Sequence, residues 1–289
     1  MIRRKFIKKT GILTTGSLLA LQYKSKVMAS ILEGRSNYGI QLYTVRDDMS
    51  QDPVGTLRKL SSIGYKDVEC AGYRKGKFYG MSPKDFKKVL DDLGLIMNSG
   101  HTNTGDMMNR WESVCEDAAF MGQKHLVGAW LSEAERSSID KYKKLSELFN
   151  KCGEKAREYG IGFAFHNHDF EFLEIDGVVP YDVMLAETDP TVANFELDLY
   201  WIIKAGKNPL EYFQKHKGRF PLWHVKDMED SDDQFFTEVG NGVIDWLPIF
   251  EKEQESGMKY FYVEQDICRN HKPLESARIS IDYLKSIEV

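Results

Sequence analysis

Residues 161–172 read Ile-Gly-Phe-Ala-Phe-His-Asn-His-Asp-Phe-Glu-Phe. An apolar run, Ile161 to Phe165, opens abruptly into His166, Asn167, His168, Asp169 and Glu171. A buried strand that ends this way puts imidazoles and carboxylates at the rim of a core. The same event recurs three times downstream. Phe195-Glu196-Leu197 runs into Asp198, Pro221-Leu222-Trp223 into His224, and Tyr260 to Val263 into Glu264. The steps of 32, 26 and 40 residues are each close to one strand–helix unit. Two imidazoles and two carboxylates suit one divalent ion such as Mn²⁺, Zn²⁺, Co²⁺ or Fe²⁺; the all-oxygen preference of Mg²⁺ makes it less favoured. Any one of these residues alone reads as a hydrogen-bonded strand end. Recurrence on four consecutive strands is what points to a metal site made of His166, Asp198, His224 and Glu264.

Such a site needs a scaffold that gathers strand ends. Periodicity predicts strands over Asn37–Val45, Tyr65–Cys70, Leu95–Ser99, Lys124–Ala129, Ile161–Phe165, Val192–Leu197, Phe220–Val225 and Lys259–Val263. Helical spacing fills the gaps. Pro53 opens a helix that Gly64 stops, and Ser82-Pro83 is an N-cap with a first-turn proline. Further helices are expected over 111–121, 139–159, 181–187, 209–216, 245–256 and 273–287, with a polar loop over 230–241. Eight alternating units make a parallel (β/α)8 TIM barrel, whose strand C-termini converge on one face. An open doubly wound sheet is disfavoured, because Gln41-Leu42-Tyr43-Thr44 after strand one is not a glycine-rich phosphate loop.

Composition narrows the partners. The chain has 289 residues, 42% of them hydrophobic, and a net charge of −5. Residues 1–29 hold seven of the 39 basic residues and none of the 44 acidic ones, so the remaining body carries about −12. Such a body repels phosphate backbones, which argues against nucleic acid. The four cysteines are scattered without a C-x-x-C pair and read as buried thiols. Residues 1–29 have the layout of an export signal: Arg3-Arg4 in a basic start, an apolar stretch from Gly11 to Leu21, then Val27-Met28-Ala29. The twin arginine implies a Tat-type signal, a periplasmic protein, and a barrel domain over 30–289. The apolar stretch is too short for a stable membrane anchor.

Five pieces together resemble the sugar phosphate isomerase/epimerase, or xylose isomerase-like, barrel superfamily: residues 41–46 (Gln-Leu-Tyr-Thr-Val-Arg), 166–168 (His-Asn-His), 196–198 (Glu-Leu-Asp), 224–227 (His-Val-Lys-Asp) and 263–266 (Val-Glu-Gln-Asp). The resemblance implies one divalent ion held by Glu, Asp, His and Glu from strands five to eight, and a small-molecule sugar substrate. Asp198, His224 and Glu264 match by type and place; His166 stands where the family has Glu. Imidazole still binds metal, but the family's two-glutamate acid/base pair is reduced to Glu264. The expected chemistry is enolisation next to the carbonyl of a sugar or keto-sugar, giving isomerisation, epimerisation or β-elimination of a 3-keto-glycoside, and the change shifts the balance toward elimination, which needs no symmetric acid/base pair.

Glu264 is then the expected base, with His168 and Lys226 sharing strand parity with His166 and His224 and facing the same pocket. Glu69, His101, Trp130 and Lys226 are candidate substrate contacts. Tyr200 and Trp201 are candidate stacking or core residues, and Asp169 and Glu171 candidate supports for the histidines. Two other functions compete. A non-catalytic sugar-binding barrel fits a lost glutamate pair. An endonuclease for abasic DNA shares the barrel but needs more metal ligands and a basic face.

Overall fold

The structure is a computed structural model in which residues 38–287 are described; the expected signal segment, 1–29, lies outside them. Eight parallel strands close into a barrel: β1 (Gly39–Gln41), β2 (Asp67–Cys70), β3 (Ile96–Thr102), β4 (His125–Gly128), β5 (Gly162–His166), β6 (Ala193–Asp198), β7 (Leu222–Val225) and β8 (Tyr260–Val263). Closure is made by β8 on β1, with Gly39 opposite Tyr262 and Ile40 opposite Val263. The expected (β/α)8 architecture is therefore the one observed.

Alternation along each strand separates two cores. On β5, Phe163 and Phe165 face outward and pack on Phe149 of the helix Ile139–Glu158, with ring centroids 5.3 and 5.0 Å apart. On β7, Trp223 faces outward and stacks on Phe213 at 5.0 Å. The residues between them point inward. Val127, Ala164, Leu222 and Tyr262 form a small apolar plug inside the barrel, separate from the large strand–helix core. The polar inward positions, His166, Asp198, His224 and Glu264, come at or just after the strand C-termini. The plug closes the barrel, and the polar residues crown it.

Local chemistry sets the helices where the sequence places them. The Asp52 side chain accepts from the Gly55 amide to start α1 (Pro53–Ile63), and Ser82 Oγ accepts from the Asp85 amide to start α2 (Pro83–Leu93). Gly64 ends α1 with φ 118°, a conformation a Cβ would oppose.

Several expectations are corrected in detail. Strand one stops at Gln41, and Leu42–Val45 forms a 3₁₀ turn because the Gln41 side chain accepts from the Tyr43 amide. His101 lies inside β3 rather than beyond it. The helix expected over 245–256 is two shorter ones, Trp246–Phe250 and Glu253–Ser256. The loop expected over 230–241 contains strand Phe236–Thr237, which pairs antiparallel with Asp227–Met228. Short helices at Arg46–Gln51, Thr104–Asn109 and Leu199–Lys204 are additions.

Candidate metal centre

Strand register brings the four candidate ligands together. Asp198 on β6 lies opposite His224 on β7, and His224 lies opposite Tyr262 on β8, so Glu264 emerges two residues later on the same inward side. One donor atom from each of His166, Asp198, His224 and Glu264 lies within 4.8 Å of the other three. His166 Nε2 is 3.2 Å from Asp198 Oδ2, and His224 Nδ1 is 2.8 Å from Glu264 Oε2 and 3.7 Å from Asp198 Oδ2. All four side chains are buried.

The neighbouring backbone holds them. Asp198 Oδ1 caps the helix at Leu199–Lys204 by accepting from the Trp201 amide at 2.9 Å, which leaves Oδ2 to face the site. Asn167 bridges the ends of β5 and β6: its Oδ1 accepts from the Asp198 amide, and its Nδ2 donates to the Asp198 carbonyl. The middle residue of His-Asn-His thus fixes the spacing between two ligand strands.

The donor set fits a divalent cation. His224 Nδ1 and Glu264 Oε2 are buried, face each other, and have no hydrogen bond of acceptable geometry. Lys226 already faces the Glu264 oxygen at 2.8 Å, but a buried nitrogen without a partner is expensive, and a cation shared with Glu264 would satisfy it. Two carboxylates would balance the ion's charge, and two imidazoles favour a transition metal over Mg²⁺.

Lys226 adds a permanent charge. Its Nζ is fully buried, 3.0 Å from Asp198 Oδ2 and 2.8 Å from Glu264 Oε2, and it also contacts Asp266. Burial alone would lower the lysine pKa, but Asp198, Asp266 and Glu264 raise it well above the usual value. Burial would likewise raise the Asp198 and Glu264 carboxyls. Lys226 with His166 in the first case, and with His224 in the second, holds them well below the carboxylate range. Both are ionised at neutral pH.

The other sequence candidates divide by depth. Glu69 is fully buried beneath His224, its Oε2 2.7 Å from His224 Nε2. His101 sits beside it, stacked on His224 at 5.3 Å, with 14% of its side chain exposed. His168 lies higher, against His166 (4.9 Å), Trp130 (4.8 Å), Phe170 (5.1 Å) and Trp201 (5.6 Å). Burial, then His166 and Lys226, lowers the His168 pKa well below the usual value, so the ring is neutral. Trp130 is 54% exposed at the rim. Tyr200 is buried, and its hydroxyl donates to the Gln234 carbonyl. Glu171 touches the His168 backbone amide (2.7 Å) and no histidine ring; Asp169 precedes the 3₁₀ turn that carries it.

Glu196 escaped the sequence reading of roles. It is fully buried, its Oε2 2.8 Å from His101 Nε2 and 3.3 Å from His224 Nε2. Strand parity is the signal that finds it, since it stands two residues before Asp198 on the same inward face. Glu69 and Glu196 face both imidazoles. Burial would raise the Glu69 carboxyl, but His101 and His224 take it down to about 2; burial and then Glu69 push Glu196 well up. The pair holds one carboxylate and one carboxylic acid.

A family model described as "Xylose isomerase-like TIM barrel" matches residues 57–287. Inosose dehydratase from Lacticaseibacillus casei is 25% identical over 269 residues, covering 79% of this chain and 87% of that protein. The crystal structure of a sugar phosphate isomerase/epimerase from Parabacteroides distasonis ATCC 8503 is 30% identical with a TM-score of 0.76, covering 87% of this chain and 94% of that one. The crystal structure of the IOLI protein with a bound zinc atom shares the fold at 14% identity and a TM-score of 0.68, covering 87% and 98% of the respective chains.

Proposed function

The chain belongs to the xylose isomerase-like TIM barrel family, and from that premise we propose a divalent-metal-dependent lyase or isomerase acting on a keto-sugar or keto-polyol next to its carbonyl. The observation that carries this reading is the convergence of His166, Asp198, His224 and Glu264 in the barrel mouth, with donor atoms within 4.8 Å of one another. The activity named for the Lacticaseibacillus casei relative, a dehydration, and that named for the Parabacteroides structure, isomerisation or epimerisation, support a sugar-modifying enzyme.

A bound divalent ion would polarise the substrate carbonyl and acidify the adjoining C–H. The residues around it supply the rest. Glu264 is ionised and stands ready as a proton acceptor. His168, neutral at pH 7, can accept that proton in its place and pass it to a departing β-oxygen. A single proton then travels from carbon to leaving group, and no second glutamate is needed where His166 stands. Lys226 brings positive charge to the edge where negative charge develops on oxygen. Trp130 offers an exposed aromatic face for the apolar side of a sugar ring.

The test is a panel of keto-sugars and keto-cyclitols incubated with metal-loaded protein in D₂O and followed by NMR. Deuterium uptake next to the carbonyl, or loss of the β-hydroxyl, is expected for at least one compound. A protein that holds one equivalent of metal and binds sugars but exchanges no proton on any of them would overturn the enzyme reading. It would favour the non-catalytic binding barrel, which the His166 substitution motivates. Export to the periplasm is part of the proposal and rests on Arg3-Arg4 and the segment that follows. Arg3→Lys with Arg4→Lys should leave the protein in the cytoplasm, and periplasmic recovery of that variant would count against the Tat route.

A further inference from the structure

A second set of buried groups lies beneath His224, on the side away from Glu264. Four atoms form a closed ring. His224 Nε2 is 2.7 Å from Glu69 Oε2, which is 3.4 Å from His101 Nε2; His101 Nε2 is 2.8 Å from Glu196 Oε2, which is 3.3 Å from His224 Nε2. Glu69, the ionised carboxylate of the pair, is the acceptor that faces the His224 Nε2–H there. Glu69 is fixed in turn by Gln41, whose Nε2 donates to the same oxygen at 2.8 Å, and the two residues are register partners across β1 and β2.

An imidazole nitrogen that donates a proton cannot at the same time offer a lone pair to a metal. Donation from His224 Nε2 to Glu69 therefore commits the lone pair to Nδ1, the atom that faces Asp198 and Glu264. The ring is clamped on both sides of its plane axis, and it cannot rotate without breaking the contact to Glu69. We infer that Glu69, held by Gln41 and backed by the Glu196–His101 pair, is a positioning residue that fixes the tautomer and orientation of His224 for metal binding through Nδ1. This rests on the metal reading above and extends it to residues outside the ligand set. A partner carboxylate of this kind also raises the basicity of the ligand, and its loss typically weakens metal binding about 10–100-fold.

The experiment is titration of the metal-stripped protein with Zn²⁺ and with Mn²⁺, reading affinity and stoichiometry for wild type, Glu69→Gln, Glu69→Leu and His166→Ala. Wild type should take up one equivalent. Glu69→Gln, which keeps an acceptor oxygen of the same reach, should bind within a few-fold of wild type. Glu69→Leu should bind about 10–100-fold more weakly at the same stoichiometry. Nitrogen-15 spectra of the zinc-loaded wild type should show His224 protonated at Nε2 and metal-bound at Nδ1. That measurement stands even if Glu69→Leu fails to fold. Wild-type affinity in a folded Glu69→Leu, or metal on Nε2, would overturn the inference. So would two equivalents in wild type with one lost in Glu69→Leu, because the ring would then be an ion site itself. No uptake by wild type at all removes the metal reading together with this one, an outcome distinct from uptake that Glu69 does not influence.

Discussion

His224 Nδ1 lies 2.8 Å from Glu264 Oε2 inside the barrel mouth, and neither atom has a hydrogen bond. Glu264 Oε2 already meets the Lys226 ammonium at 2.8 Å, so a bound cation would share that carboxylate with the lysine and take the lone pair of His224 Nδ1. Adding Zn²⁺ or Mn²⁺ at about a hundred times its dissociation constant should stabilise the protein by about 2.7 kcal/mol over the chelated form. Elemental analysis should give one equivalent in wild type and none in Asp198→Asn or Glu264→Gln. A thermal midpoint that does not respond to chelator would contradict the assignment.

Lys226 is a side-chain cation shared by Asp198, Glu264 and Asp266. Lys226→Met keeps most of the volume and leaves the buried Asp198 and Glu264 and the partly exposed Asp266 without it. Breaking a buried ion cluster on one side costs about 3–5 kcal/mol, so the metal-free variant should unfold at much lower urea than wild type. Metal should restore part of that loss, since it replaces the missing charge. Equal urea midpoints for metal-free Lys226→Met and wild type would show that the lysine is not the counter-charge.

Glu171 is buried, and desolvation, outweighing its bond from the His168 amide, pushes its carboxyl up to about 8. A carboxyl raised in the folded state binds its proton there while the unfolded chain has already lost it. Its contribution is therefore complete below about 4.5 and is lost as pH rises toward 8, at no more than about 1.4 kcal/mol per pH unit. Asp67, which burial pushes up to about 7, acts in the same direction. Denaturation at pH 5 and pH 8 should show a smaller loss for Glu171→Gln than for wild type. An identical loss in both proteins would mean Glu171 is ionised in the fold.

Trp130 is 54% exposed and touches His168 and Phe170 only edge-on. Trp130→Ala should change stability by about 1 kcal/mol or less. If its face stacks on the substrate, KM should rise about tenfold with kcat nearly unchanged, a loss of about 1.4 kcal/mol of binding. A large stability loss with unchanged KM would place Trp130 in the packing instead.

Much of this was legible because burial writes itself into local sequence. Phe163 and Phe165 alternate with Ala164 and His166, and the apolar run must end where the barrel opens. The helix boundaries followed from single residues, Asp52, Ser82 and Gly64, whose effects act within a turn. The short segments were harder. Leu42–Val45 is β-rich in composition, yet one hydrogen bond from the Tyr43 amide to the Gln41 side chain turns it. Phe236–Thr237 becomes a strand only because Asp227–Met228 lies opposite it.

The sequence by itself determined the eight strand–helix units, the four strand ends that carry the candidate metal ligands, and the presence of His166 where the resembling family has a glutamate. These depend on residue type and on a period of two or 3.6, which are local properties. Tertiary structure alone decided what each group faces. Lys226 was a candidate from parity, but only the closed barrel joins it to Asp198, Glu264 and Asp266. Glu69 and Glu196 are 127 residues apart in the chain, yet both reach the same nitrogen of His224. The physical reason is closure: a parallel barrel brings every inward side chain to one axis, so neighbours there are set by register and depth rather than by distance along the sequence.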